Sequence, residues 1–500
     1  MSEAPPLALD AGVRRRGPTL AGGSPRRALR LSEAGWRTLA QLQGGTARSE
    51  AALALGRRLL DAGIAHPRPR PRARLADVTV VIPVRDRPGE LDRCLSALGP
   101  GLDVIVADDG SVDATAVAGI VARHGARLVR GERSDGPAAA RNAALAHAGS
   151  ELIAFLDSDC APEPGWLHAL AGHFDDPLVG AAAPRIRPLT GPRQGAGARF
   201  LAGRSPLDMG RHESGVEPGG IVGYVPTAAL VVRRLALGAG FDEGLRYGED
   251  VDLVWRMRDG GWRVRYDPSV TVGHREPESV TRAWARRFRY GTSAGPLARR
   301  HPGRMAPALI SPWPSLAAAL VIGRRRRAAA VIAAGHSVVL GRRLAALGLP
   351  RWWGPRWHGE ATYHAAVSMT RYVAMLGLPA AVLAARRARS PWALGWLALP
   401  ALEDWRRRRP ALDPVRWTAL ALADDAAYGA GVWWGALCSR TARPLRPAVV
   451  RGAGSRCAAE RRGCGDRRSS GGPASAIAPV VGVAVPGDAA EQPGQAADRR

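Results

Sequence analysis

Two aspartates one residue apart, Asp157 and Asp159, end the apolar run in "LIAFLDSDCAPEPGWL". Carboxylates spaced D-x-D after a strand converge on one point and suit a hard divalent cation that also bridges phosphates. Taken alone, such a pair is more often a solvated acidic turn. A second acidic strand end, "VADDGSVDAT", puts Asp109 where a carboxylate can accept from the N–H of a nucleotide base. The same stretch also suits an Asx-turn with Ser111 or Asp113 capping the next helix. A third stretch, "GEDVDLVWRMRDGG", sets Asp250 at a helix start, where the macrodipole keeps a carboxylate ionised. An ionised aspartate open to a cleft is a general base for a hydroxyl nucleophile, although plain N-capping uses the same residue. His274 ends the next apolar run, "VTVGH", as a metal ligand or as a hydrogen-bonded surface histidine.

Something must bring these groups together. From Val78 onward, "VTVVIPV", "DVIVADD" and "LIAFLDSD" alternate with helical stretches. Continuous apolar runs in that arrangement predict an α/β domain with a mostly parallel sheet covered on both faces. Ligands of such sheets bind beyond the carboxyl ends of the strands. Those ends carry Pro83 to Asp86, Asp108 to Ser111 and Asp157 to Asp159, so one crevice would hold all three.

Composition shifts divide the remainder. Residues 1–14 read as disordered. Residues 15–74 read as short strands followed by helices, with Ser32 an N-cap, and end in the linker "HPRPRPRAR". Residues 75–300 hold the α/β domain. Residues 301–441 are Ala/Leu/Trp segments punctuated by arginine, and 442–500 lack periodicity and read as a disordered basic tail. Met305 to Ile322 is uncharged but contains three prolines, and a spanning helix needs roughly 20 apolar residues. Tyr372 to Ala385 and Ala426 to Ser439 are shorter still. Helices lying in or against the cytoplasmic face of a membrane, with one or two spans at most, are therefore expected.

The net charge of +27 on 500 residues invites a nucleic-acid reading. The positive residues are almost all arginine in an Ala- and Gly-rich chain, with no aromatic-interleaved basic patch, which argues against an RNA-binding module and leaves only the net charge for one. Anionic lipid headgroups fit the arginines between the late apolar runs better. Five scattered cysteines form no CxxC pair or zinc-type cluster, which indicates a reducing compartment.

In order and spacing, "VVIPVRDRPGELDRCLSAL", "VIVADDGSVDAT", "GPAAARNAALAHAGSELIAFLDSDCAP" and "GFDEGLRYGEDVDLVWRMRDGGWRVRYDP" resemble the inverting glycosyltransferases of the large nucleotide-sugar family, over residues 78 to 290. The resemblance implies a GT-A type fold and a UDP-sugar donor with Mg²⁺ or Mn²⁺. Pro83 and Val84 would then lie beside the base, with Asp109 accepting from the uracil and Arg141 near the nucleotide. Asp157 would hold ribose or metal, Asp159 and His274 the metal, and Asp250 would be the catalytic base. The Q-x-x-R-W motif of processive synthases is missing, since "RAWARRFRYG" lacks its glutamine. "GGSPRRALRLSEAGWRTLAQL" resembles the winged-helix-like domains that capture a leader peptide as an added strand. All three regions in this order look like the glycosyltransferases of the mycofactocin system, which implies a peptide-derived redox cofactor or its precursor as acceptor of β-linked glucose. Two rival readings stand beside this: a transferase for lipid or cell-envelope polysaccharide, and a binding protein with a degenerate core.

Overall fold

The computed structural model describes residues 6–23, 27–189, 195–387, 389, 391–449 and 477–478. The described residues divide into two compact units, those within Met1–Arg68, Arg343–Pro350 and Gly452–Arg500, and those within Pro69–Arg342 and Arg351–Arg451.

In the first unit, β1 (Leu7–Leu9) is followed by β2 (Arg14–Arg16), β3 (Thr19–Gly22) and β4 (Arg27–Arg30), then α1 (Glu33–Gln43), α2 (Glu50–Asp61) and β5 (Ala65–Pro67). β2, β3 and β4 form an antiparallel meander, and β1 pairs with β5. Ser32 caps α1 as expected, its hydroxyl accepting from the Gly35 N–H at 3.2 Å. Leu20, Leu29, Leu39, Leu42, Leu59 and Ile64 are buried together as a small core. The expected disorder of residues 1–14 is corrected for residues 6–14. Leu7 joins this core and β1 is held by β5, a partner almost 60 residues away that local sequence cannot reveal. Residues 1–5 lie outside the described residues.

The second unit is built on one sheet. Its elements are β6 (Val78–Val84), α3 (Pro88–Leu98), β7 (Asp103–Asp108), α4 (Ala114–Arg123), β8 (Arg127–Arg130), α5 (Pro137–Leu145), β9 (Leu152–Leu156), β10 (Cys160–Pro162), α6 (Trp166–Ala171), β11 (Val179–Pro188), α7 (Ala196–Gly203), β12 (Ser214–Gly215), β13 (Ala229–Arg233), α8 (Arg234–Leu237), α9 (Glu249–Asp259) and β14 (Arg263–His274). The order is β10-β14-β11-β13-β9-β6-β7-β8, with β12 on β14. β9, β6, β7 and β8 are mutually parallel, as are β11 and β14; β13, β10 and β12 run against them. Alternate residues feed opposite cores. Val80, Ile82, Leu152 and Ala154 pack on one face, Val81, Ile153 and Phe155 on the other. Burial on both faces is why these strands read as unbroken apolar runs.

Helices follow: α10 (Val280–Thr292), α11 (Ala294–Arg300), then after β15 (Leu309–Ile310) α12 (Pro312–Ile322), α13 (Arg326–Ala346), α14 (Trp353–Leu376), α15 (Leu378–Arg387), α16 (Pro391–Arg408) and α17 (Pro414–Cys438). They do not form a separate body beyond residue 300, because α17 packs along α10 and α11. A Cβ on Gly431 would collide with the Phe288 carbonyl, and one on Gly291 with the Tyr428 carbonyl, so the two helix backbones touch. Buried charges pin the same seam. Arg204, just after α7, reaches Asp425 at 2.8 Å and Asp424 at 3.4 Å, and Arg287 reaches Asp424 at 3.3 Å.

By length and composition α13 can cross a membrane, as can α14 with α15 if that pair, bent by 103°, is one span. The uncharged stretch from Met305 holds β15 and the short α12, not one long helix. The expected tail begins later than 442, because β16 (Ala448–Val449) pairs with β15. In the first unit, β17 (Ile477–Ala478) lies antiparallel on β4; the rest of the expected tail, from 450, lies outside the described residues.

The α10–α17 contact leads to a stability test. Gly431→Val must push the helices apart, and overpacking of this kind costs roughly 1–3 kcal/mol or more. A thermal melt of the variant is expected to fall by several degrees; an unchanged melt would show that the helices do not touch there.

Candidate active site

The carboxyl ends of β6, β7 and β9 open on one cavity of about 690 Å³. Pro83, Val84, Asp109, Arg141, Asp157, Asp159, Asp250 and His274 all line it. Residues 190 positions apart in the sequence thus meet at the place the strand pattern indicated.

At the first two strand ends the loops lock each other. The Asp86 N–H donates to Ser111 Oγ at 3.0 Å, and the Val112 N–H donates to Asp86 Oδ1 at 2.8 Å. Asp108 is wholly structural, buried and paired with Arg130 while accepting from the Ser111 N–H. Asp109 is largely committed within the protein. Its Oδ1 accepts from the Asp135 and Gly136 amides at 2.9 and 3.0 Å, and its Oδ2 from Ser134 Oγ at 2.8 Å. Gly110 makes this approach possible: its φ is +66°, and a Cβ there would press on the Arg133 backbone. The Gly136 amide is shared, also reaching Oδ2 at 3.2 Å, so Asp109 fixes the 134–136 loop over the cavity and a ligand N–H must displace that weaker bond.

Arg141, on α5 and 3% exposed, is the central cation. It donates from Nη2 to Asp157 Oδ1 at 2.7 Å and from Nη1 to Glu249 Oε1 at 3.0 Å. Burial pulls its pKa down, but the charges of Asp157 and Glu249 outweigh that and raise it, so the guanidinium stays charged.

Asp250 stands in the first turn of α9, whose N-cap is Gly248 with φ +82°. A Cβ on Gly248 would lie 3.0 Å from Leu297 and from Ser293. The expectation that the helix macrodipole keeps Asp250 readily ionised is corrected. Burial, and then the charge of Glu249, push its pKa up to about 7, against the opposing pull of the Val251 N–H and Arg141. Tyr224 shares this environment, its hydroxyl pushed up by burial and by the Asp250 charge.

Across the cavity, Asp159 Oδ2 accepts from Arg87 at 2.6 Å, and its Oδ1 lies 3.5 Å from His274 Nε2. His274 is 4% exposed, and Glu276 stands 3.4 Å behind its Nδ1. Burial lowers the imidazole pKa, while Glu276 and Asp159 raise it to a net upward shift. Glu276 falls to about 2: burial opposes this, but His274 and Arg286 hold it ionised. Among the described residues no three His, Cys, Asp or Glu side chains gather into a complete metal cluster. The donor set still fits a divalent cation. Glu276 stands close to His274 Nδ1 without a hydrogen bond to it, and Nε2 faces Asp159; one carboxylate plus one imidazole leaves positions for phosphate oxygens.

Sequence reasoning missed Glu249, Glu276, Arg87 and the tyrosines. Only Glu249 carried a signal, as the middle letter of "GED".

A model of the family described as "Glycosyl transferase family 2" matches residues 79–237. "Pre-mycofactocin glycosyltransferase" of Mycobacterium tuberculosis is 40% identical over 451 residues, covering 87% of this chain and 95% of that protein. The chain belongs to glycosyl transferase family 2. An "N-acetylglucosaminyl-diphospho-decaprenol L-rhamnosyltransferase" of the same organism is 30% identical over 243 residues, covering 42% of this chain and 79% of that protein. Among solved structures, a mannosyltransferase from Pyrobaculum calidifontis with GDP-Man and Mn²⁺ is similar at 20% identity and a TM-score of 0.37, over 67% of this chain and 89% of that one. This family 2 glycosyltransferase has a GT-A type domain, in which the family match ends at Leu237 and leaves Asp250 and His274 on the segments that follow.

The ionisation of Asp250 predicts a pH profile. A base works only when deprotonated, so the transfer rate should rise with pH through about 7 and level off above it; well below that pH it falls about tenfold per unit. Glu249→Gln removes the neighbouring charge that raises Asp250 and should move this limb to lower pH. A limb that stays in place would remove Asp250 from the role.

Proposed function

We propose that this glycosyltransferase moves a hexose, glucose being the candidate, from a UDP-sugar onto a peptide-derived redox cofactor or its precursor of the mycofactocin type, forming β-linked sugars. The observation that carries the reading is Asp250, a carboxylate of raised pKa in the cavity that also holds Asp157, Asp159 and Arg141. The near full-length similarity to a pre-mycofactocin glycosyltransferase supports the acceptor class.

In this reading Pro83 and Val84 offer backbone to the base, and Asp109 Oδ2 takes a uracil N–H in place of its 3.2 Å bond from the Gly136 amide. Asp157, oriented by Arg141, takes ribose hydroxyls. An acceptor hydroxyl gives its proton to Asp250 as its oxygen attacks the anomeric carbon. The bond from that carbon to the diphosphate oxygen breaks with its electron pair going to UDP. Attack from the side opposite the leaving group inverts the centre, so an α-linked donor yields a β-glycoside. A divalent cation, Mg²⁺ or Mn²⁺, held by Asp159 and His274 would supply positive charge for the departing diphosphate. Arg87, half-exposed on Asp159, is the cation already at that position and can turn toward phosphate.

The first unit has a role of its own in this proposal. The β4 edge carries an antiparallel segment, Ile477–Ala478, which supports reading it as an edge that takes an extended leader peptide. The C-terminal helices expose Val331, Trp433, Trp434 and Leu437, which supports docking on the cytoplasmic face of the cell membrane, with arginines meeting anionic headgroups.

The deciding assay is UDP release from UDP-glucose with Mg²⁺ or Mn²⁺, with and without the peptide-derived acceptor. Acceptor-stimulated release that chelation and Asp250→Asn each reduce by at least about 10²-fold is expected. Stimulation by lipid extract alone would favour a lipid or envelope-polysaccharide acceptor instead. In a separate measurement, cosedimentation with vesicles containing anionic lipid should exceed that with neutral vesicles and weaken with salt; equal binding to neither would remove the membrane face.

A further inference from the structure

Four of the chain's seven tyrosines, Tyr224, Tyr247, Tyr290 and Tyr428, line the cavity that holds Asp250. Tyr428 comes from α17, far outside the segment matched by the family model. It reaches the cavity because α17 lies backbone to backbone on α10, with Gly431 against Phe288 and Gly435 against Thr292. Arg287 fixes the ring further. Its guanidinium lies 4.8 Å from the Tyr428 centroid, and its Nε is 3.3 Å from Asp424, one turn earlier on α17. Tyr290 stands beside Tyr247, centroids 6.3 Å apart.

The charges on this side are matched. Arg286 pairs with Glu276 and Arg287 with Asp424, neither acid lining the cavity. Of the lining arginines, Arg246 alone has no acidic partner among the described residues, and it is exposed. Tyr224, Tyr290 and Tyr428 remain neutral, since burial pushes each hydroxyl up, Tyr290 to about 12 despite Arg286. Aromatic faces with protonated hydroxyls offer stacking and hydrogen bonds, and no surplus charge.

We propose that Tyr428, with Tyr290 and Tyr224, forms the acceptor subsite, and that it selects an uncharged ring carrying the nucleophilic hydroxyl over a phosphate-bearing one. The inference rests on Asp250 being the base beside which the acceptor must lie. An uncharged ring of this kind is either a sugar already attached to the acceptor or a phenolic ring of the acceptor itself. α17 is then a wall of the active site, and Tyr428 a specificity-determining residue outside the family core.

The test measures ligand binding without turnover, by saturation-transfer NMR on the full chain. The probes are methyl β-D-glucoside, p-cresol and glucose 6-phosphate, with UDP as reference, for wild type, Tyr428→Phe and Tyr428→Ala. A neutral probe should bind wild type more tightly than the phosphorylated sugar. Tyr428→Ala should weaken it about tenfold and Tyr428→Phe much less, with UDP affinity and thermal melt unchanged. Preference for the glucoside points to sugar-chain extension, and preference for p-cresol to a phenolic acceptor. Tighter binding of the phosphorylated sugar, no binding of either neutral probe to wild type, or neutral-probe affinity unchanged in Tyr428→Ala would overturn the proposal. A melt or UDP affinity that falls together with probe binding in both variants would make Tyr428 structural and overturn it as well. Failure of the proposed sugar transfer appears separately, as wild type that binds a neutral ring yet releases no UDP from UDP-glucose.

Discussion

Arg141 joins the two halves of the site. One guanidinium, almost fully buried, binds Asp157 at the end of β9 and Glu249 at the start of α9. A lone cation at that depth would be prohibitively costly, and two carboxylates without it equally so. Each therefore requires the others, and breaking such a set by removing one member costs about 3–5 kcal/mol. The consequence is geometric. Because Glu249 is tied to the sheet through Arg141, the adjacent Asp250 is fixed relative to the strand ends that carry Asp157 and Asp159.

The same arrangement tunes Asp250, the proposed base. Arg141 pulls the pKa of Asp250 down while Glu249 pushes it up, and burial adds to the push. A carboxylate at its ordinary pKa is a feeble base toward a hydroxyl; raised toward neutrality it gains driving force while remaining largely ionised in mildly alkaline solution. The opposite wall works differently. The Glu276 charge lies 3.4 Å behind His274, and the other imidazole nitrogen faces Asp159, an arrangement suited to positive charge near a leaving diphosphate.

Much of this was legible in the chain. The strands could be read because burial on both faces leaves continuous apolar runs, and their polar ends named Asp109, Asp157 and Asp159 directly. Asp250 was read from the helix start in "GED" and Arg141 came from the family resemblance, and the cavity collects both. What could not be read were partners. Nothing near Asp109 announces that Ser134 and Gly136 occupy it, and nothing near Asp250 announces its burial, which depends on residues far along the chain. The long helix α13 was missed because arginines bracket it, and Leu7–Leu9 because its partner strand is remote. Tyr428 had no local signal at all, since its place depends on glycines letting two distant helices touch.

That last dependence explains why the helices beyond residue 300 belong with the catalytic domain. Asp250 owes its raised pKa first to desolvation, and Tyr428 and Arg287 of the α10–α17 seam line the same cavity. Charges around that seam form a balanced network, Arg204, Arg287 and Arg371 against Asp404, Asp424 and Asp425, so the wall adds shelter without adding net charge. A sheltered, uncharged wall strengthens every interaction of the base with the proton it must take. A wall carrying surplus positive charge would instead stabilise the ionised carboxylate and weaken it as a base. The neutrality that the proposed uncharged acceptor calls for thus also preserves the basicity of Asp250, and both follow from glycines that let one helix lie against another.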